Sequence, residues 1–78
     1  MKMYCISDNI DTAVGLKLTG IEAVVVQEDH EVNNEIEKVL QDKEVGILII
    51  TDKIYEMSKE KFDNIKEKLK MPLLVKIW

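Results

Sequence analysis

Residues 44–53 read EVGILIITDK. Six consecutive positions, Val45 to Ile50, carry no polar side chain, and four of the six are β-branched. A run this short and this continuously apolar, without period-two alternation, is the pattern of a strand covered by helices on both faces of a parallel sheet. Its end is chemically different: Thr51, Asp52 and Lys53 follow at once. In α/β proteins a carboxylate delivered by the end of a buried strand is a common position for a catalytic acid, a phosphoacceptor or a metal ligand. The stretch therefore sets both the fold class and the first functional question.

Three other runs share its texture. Residues 3–6, 21–26 and 73–77 are short, apolar and rich in β-branched side chains. Between them the apolar residues fall at helical spacing. Ile10, Ala13, Val14 and Leu18 share one face, behind the capping candidates Ser7, Asp8 and Asn9 and ahead of Gly20. Val32, Ile36, Val39 and Leu40 form a second stripe, with Glu28, Asp29 and Glu31 at its positive end. Phe62, Ile65 and Leu69 form a third, with Ser58 as its N-cap and Met57 placed to staple onto Phe62. Met71-Pro72 closes that helix and starts the last strand, where a missing backbone donor costs little. The order βαβαβαβ with short connections predicts a single α/β domain over residues 1–78. It is a three-layer αβα, receiver-like or Rossmann-like fold, with a four-stranded parallel sheet in the order 2-1-3-4.

The bulk properties narrow the function classes. Of 78 residues, 46% are apolar and 33% charged, a globular balance, while aromatics are only 5%, so the core must be aliphatic. The net charge is −4 and every basic residue is lysine. Without the planar fork of arginine, bidentate reading of phosphate or guanine is absent, and nucleic acid is not an expected partner. Residues 1–52 hold four lysines against eleven acids, and residues 53–78 hold seven lysines against four acids. One cysteine forms no internal disulfide, and no apolar run approaches the ~18 residues of a membrane span.

In the order 2-1-3-4, ligands bind at the carboxyl ends of strands 1 and 3. Those ends carry Ser7, Asp8 and Asn9, and Thr51, Asp52 and Lys53. Asp8 and Asp52 could hold a divalent cation, with Asp52 as phosphoacceptor, as in response-regulator receiver domains. Receivers also use an acidic pair after strand 1, a hydroxyl residue after strand 4 and a lysine after a fifth strand, and residues 72–78 supply no such lysine loop. Asp and Asn after a strand are ordinary helix caps, which is the reading taken for Asp52. Cys5 followed by Ile6 lies inside the first strand, so a buried thiol is expected there, not a phosphocysteine. His30 stands alone among acids at a helix start. Gly15, Gly20 and Gly46 form no phosphate loop, and the use assigned to Gly15 is close approach of helix to sheet. No catalytic, cofactor-binding or metal-binding set emerges, and the residues describe a small α/β binding or scaffold module.

The segment ISDNIDTAVGLKLTGIEAVVV resembles the opening of the F subunits of the archaeal and vacuolar-type rotary ATPases, whose G-[FL]-x-L-x-G-[IV] signature is matched by Gly15-Leu16-Lys17-Leu18-Thr19-Gly20-Ile21. Residues 45–51 are similar to that family's GIILIT strand, and PLLVKI at 72–77 to its last strand. The resemblance implies a non-catalytic central-stalk subunit that binds the D subunit, couples ATP hydrolysis or synthesis in the head to H⁺ or Na⁺ transport, and is cytoplasmic and peripheral to the membrane. It implies no cofactor. Family members continue into a C-terminal helix, whereas this sequence stops at Trp78. The fourth strand is therefore expected to be under-covered, with Leu74, Lys76 and Trp78 on one face as the partner interface and Leu73, Val75 and Ile77 on the other. The alternative is a stand-alone receiver-like or phosphocarrier domain using Asp52, Asp8 or Cys5.

Overall fold

The computed structural model describes residues 1–78. Four strands, β1 (Lys2–Ser7), β2 (Glu22–Val25), β3 (Val45–Thr51) and β4 (Leu73–Ile77), form one sheet in the order β2-β1-β3-β4. All three pairings are parallel. The helices are α1 (Ile10–Leu18), α2 (Asp29–Gln41), α3 (Asp52–Met57) and α4 (Lys59–Lys68). This is the α/β architecture and strand order expected from the sequence.

The register sorts the side chains onto two faces. Cys5 lies beside Ala23 and Ile49, and Ile49 beside Val75. Tyr4 and Ile6, with Leu48, Ile50 and Leu74, point the opposite way into the main core. That core joins Ile6, Leu48 and Ile50 of the sheet to Val32, Ile36 and Val39 of α2, Ile54 of α3, and Phe62 and Ile65 of α4. The smaller cluster contains only Cys5, Ala13, Ala23 and Ile49 as fully buried members. Small side chains at Cys5, Ala13 and Ala23 let α1 lie close on β1 and β2.

The two layers are unequal because of connection handedness. A right-handed crossover from β1 to β2 puts α1 on one face, while the crossovers to β3 and β4 run the other way and put their helices on the opposite face. The nine-residue α1 packs on β1 and β2; Ile49 of β3 shares a cluster with Ala13 and is buried, whereas Leu73 and Val75 of β4 stay exposed. The β4 end of one sheet face is thus left without a helix.

Several local expectations are corrected by the structure. On α1 only Ala13 is buried, while Ile10, Val14 and Leu18 are 64%, 48% and 83% exposed, because the helix turns Ala13 and Leu16, not the rest of the expected stripe, toward the sheet. Leu40 and Leu69 likewise end their stripes at the surface. The chain already turns helical at Asp52, so Thr51 takes the N-cap position of α3 and Asp52 is its first helical residue. Ser58 does sit at the N-cap of α4, but its hydroxyl donates to Asn33 Oδ1 at 3.1 Å and caps nothing. Asn9 is the working cap of α1: its Oδ1 accepts from the Thr12 N–H at 3.0 Å.

Gly20 closes α1 as expected, with φ of 90°, its N–H donating to Lys17 and that of Ile21 to Leu16. Gly15 does not serve the close helix–sheet approach expected of it: a Cβ there would meet nothing within 4 Å. Nothing in the isolated chain requires glycine at that position. Gly15→Ala is expected to raise stability by up to about 1 kcal/mol, measured by urea denaturation, because alanine loses less backbone entropy in a helix.

Candidate functional site

At the carboxyl ends of the central strands the polar groups are committed to one another. Ser7 Oγ donates to the Asn9 carbonyl and accepts from the Asn9 N–H, both at 2.9 Å. The buried Thr51 hydroxyl donates to Asp8 Oδ1 at 2.7 Å, tying the end of β3 to the end of β1. Asp52 faces Lys76, whose Nζ lies 3.8 Å from Asp52 Oδ1 and 4.6 Å from the centre of the Tyr55 ring. Sequence reading placed Lys76 at the partner interface and did not join it to Asp52, because it sits within β4 and not in a loop after a strand. Parallel pairing of Thr51 with Ile77 brings it to the end of β3. No three His, Cys, Asp or Glu side chains gather as a cation-holding group.

Cys5 is fully buried between strands, and burial pushes its thiol up to about 11. The thiolate is the reactive form, so Cys5 should resist a thiol reagent at neutral pH in the native chain and react at once in denaturant. Rapid native labelling would show that β1 opens readily. Tyr4 is also raised, by burial first and then by its 2.6 Å hydrogen bond to Glu35. His30 is exposed, 3.6 Å from Glu28.

The rim carries one pair with a consequence for acid stability. Lys2 Nζ donates to Asp42 Oδ2 at 2.7 Å, and this bond lowers the Asp42 carboxyl below its ordinary value of 3.8. The Gln27 and Glu28 N–H groups likewise lower Glu31. A carboxylate depressed on folding contributes stability above its unfolded value, and that contribution disappears as pH falls through the folded value. Thermal melts should therefore weaken below about pH 4, and Asp42→Asn should make that acid decline shallower. An identical acid limb in the variant would mean the pair contributes nothing.

One apolar feature without an internal partner is the β4 end of the α1 face. A groove of about 360 Å³ runs between α1 and the last two strands, walled by Gly15 and Leu16 on one side and by Val75, Ile77 and Trp78 on the other. Leu73 is 59% exposed, Val75 38% and Trp78 83%. The structure separates the three expected interface residues. Leu74 is half-buried against the main core, and Lys76 lies across Tyr55 on the same side. Trp78, beyond the strand end, lines the groove with Val75 and Ile77. Gly15 on its other wall leaves room that a side chain would occupy.

Comparison with known proteins agrees with this architecture. Residues 3–77 match the ATP synthase (F/14-kDa) subunit family. The F subunit of the A-type ATP synthase of Methanocaldococcus jannaschii is 32% identical over 68 residues, covering 86% of this chain and 68% of that protein. The crystal structure of the V-type ATP synthase F subunit from Archaeoglobus fulgidus superposes with a TM-score of 0.80 at 24% identity, covering 99% of this chain and 96% of the other. The chain belongs to the ATP synthase (F/14-kDa) subunit family, the F subunits of the A/V-type ATP synthases.

Proposed function

We propose that this F subunit is a non-catalytic part of the central rotor stalk. It binds the D subunit and helps couple ATP synthesis or hydrolysis in the head to H⁺ or Na⁺ movement through the membrane sector, to which it is peripheral. No helix is long and apolar enough to cross a membrane. The observation that carries the reading is the open apolar face of β4, where Leu73, Val75 and Trp78 are exposed and Ile77 lines the groove. An exposed, contiguous apolar surface of this kind is the mark of a protein interaction site. A stalk component needs a stiff body and such a face, and the two-cluster core supplies the stiffness. The proposal keeps Trp78 at the interface, adds Leu73, Val75 and Ile77, and has Leu74 and Lys76 support β4 from behind.

The test is co-expression with the D subunit of the same organism, followed by size-exclusion chromatography. Co-elution as a stoichiometric complex is expected; a D subunit that enters the ATPase while this chain elutes alone would overturn the reading.

One observation favours the phosphoacceptor alternative, namely the Lys76–Asp52 pair at the end of β3. Against it, Asp8 Oδ1 already accepts the Thr51 hydroxyl. Magnesium with beryllium fluoride is expected to leave the melting temperature unchanged. A clear stabilisation lost in Asp52→Asn would restore that alternative.

A further inference from the structure

On the opposite side of the sheet, α2 and α4 share the main core through Ile36, Val39, Phe62 and Ile65, but their backbones stand apart: no Cα of one comes within 8 Å of the other, and the short α3 bridges them. The gap is a groove of about 410 Å³. Ile36 and Ile65, each 3% exposed, form its floor, and Leu40 and Leu69, 43% and 46% exposed, stand at its mouth. Its walls differ in charge. Lys61 and Lys68, two helical turns apart, line the α4 side, and neither belongs to any ion pair of the chain. Glu37, also unpaired, lines the α2 side.

We infer that the α2–α4 groove is a second docking site, for an amphipathic helix of another protein of the complex that carries an apolar stripe and acidic residues on the flank facing α4. Lys61 to Leu69 spans about 12 Å of helix axis, long enough to receive two turns of a partner helix with anchors at i, i+3 or i+4, and i+7. The partner's apolar stripe covers Leu40 and Leu69. Its acids meet Lys61 and Lys68, and a basic residue on its other flank meets Glu37. A second copy of this chain is a poor occupant: its α2 already buries the stripe of Val32, Ile36 and Val39, and its α1, which exposes Ile10, Val14 and Leu18, has a single acid, Asp11, to set against two lysines. The site lies across the sheet from the open face of β4, so it stands or falls independently of the stalk interface.

The probe is a synthetic helical peptide of about four turns, with leucines in one stripe and glutamates along one flank, titrated into the whole chain and followed by NMR. The Leu40 and Leu69 methyl signals and the Asn64 side-chain amide are expected to shift, while those of Val75 and Ile77 stay in place. A scrambled peptide of the same composition should leave all of them unmoved. Lys61→Glu with Lys68→Glu should weaken binding by about tenfold or more and should bind a lysine-flanked version of the peptide better than the unmodified chain does. Both lysines are exposed, so an unchanged melt verifies that this variant is folded. Four results would overturn the inference: equal binding of the scrambled peptide, shifts confined to β4, no shift at millimolar peptide, or self-association of the chain through Leu40 and Leu69.

Discussion

Phe62→Ala should remove a large part of the stability of this chain. Phe62 is the largest of the fully buried side chains, and it anchors α4 to the sheet within the same cluster as Ile6, Leu48 and Ile50. Truncating a buried phenylalanine costs about 3–5 kcal/mol, since the transfer free energy is lost and a cavity remains. Chains of this length are stable by only about 4–12 kcal/mol in total. Urea denaturation should show a midpoint displaced by more than ~2 M at the slope of about 1 kcal/mol per molar usual for small domains. Leu69→Ala removes an apolar side chain immediately after the same helix, but from a half-exposed position, and should cost well under half as much. If Phe62→Ala cost less than about 1 kcal/mol, α4 would not be packed as described, and the groove between α2 and α4 would lose its floor.

If the chain binds the D subunit as proposed, Trp78→Ala, alone and combined with Val75→Lys, should weaken that binding by about thirtyfold or more, equivalent to about 2 kcal/mol. Large aromatic anchors in a desolvated apolar site carry a disproportionate share of binding energy. Both side chains line the open groove, and Trp78 makes its contacts beyond the last hydrogen-bonded residue of β4. The melting temperature of Trp78→Ala should stay near that of the parent chain, because the indole is 83% exposed. Lys76→Ala, whose side chain lies on the other face against Tyr55, should change affinity little. Isothermal titration with the purified D subunit separates these outcomes. Unchanged affinity for both Trp78 variants would place the stalk contact elsewhere, with the fold unaffected.

How much was readable in advance differs from element to element. The apolar texture of residues 45–50 makes β3 a strand buried on both faces, and β3 is central, hydrogen-bonded to β1 and β4. Val32, Ile36 and Val39 are buried as their spacing requires. The same reasoning failed on α1. Four apolar residues share a face there, yet a nine-residue helix seated on Cys5 and Ala23 buries only the alanine. Periodicity reports which side chains point the same way, not how wide a surface lies opposite them. It also hid α3, since DKIYEM is too short for a helical period to register.

The candidate site shows the same division. The exposed character of β4 was expected from the resemblance, whose family carries a further helix after this strand, and from the large apolar side chains on both of its faces. Which of its faces is open was not. Alternation names two sets, and right-handed crossovers with a short α1 decide that Leu73, Val75 and Ile77 face the uncovered side. The sequence by itself determined the class of fold, the strand order, the two central strands and the family. Each follows from patterns among near neighbours in the chain or from connection rules. Tertiary structure alone decided that Thr51 binds Asp8, that Lys76 reaches Asp52, and that α2 and α4 stand apart over an apolar floor. Those arrangements join residues far apart in the chain, 43 positions for Thr51 and Asp8, and only the sheet register and helix placement bring such residues within hydrogen-bonding or packing distance.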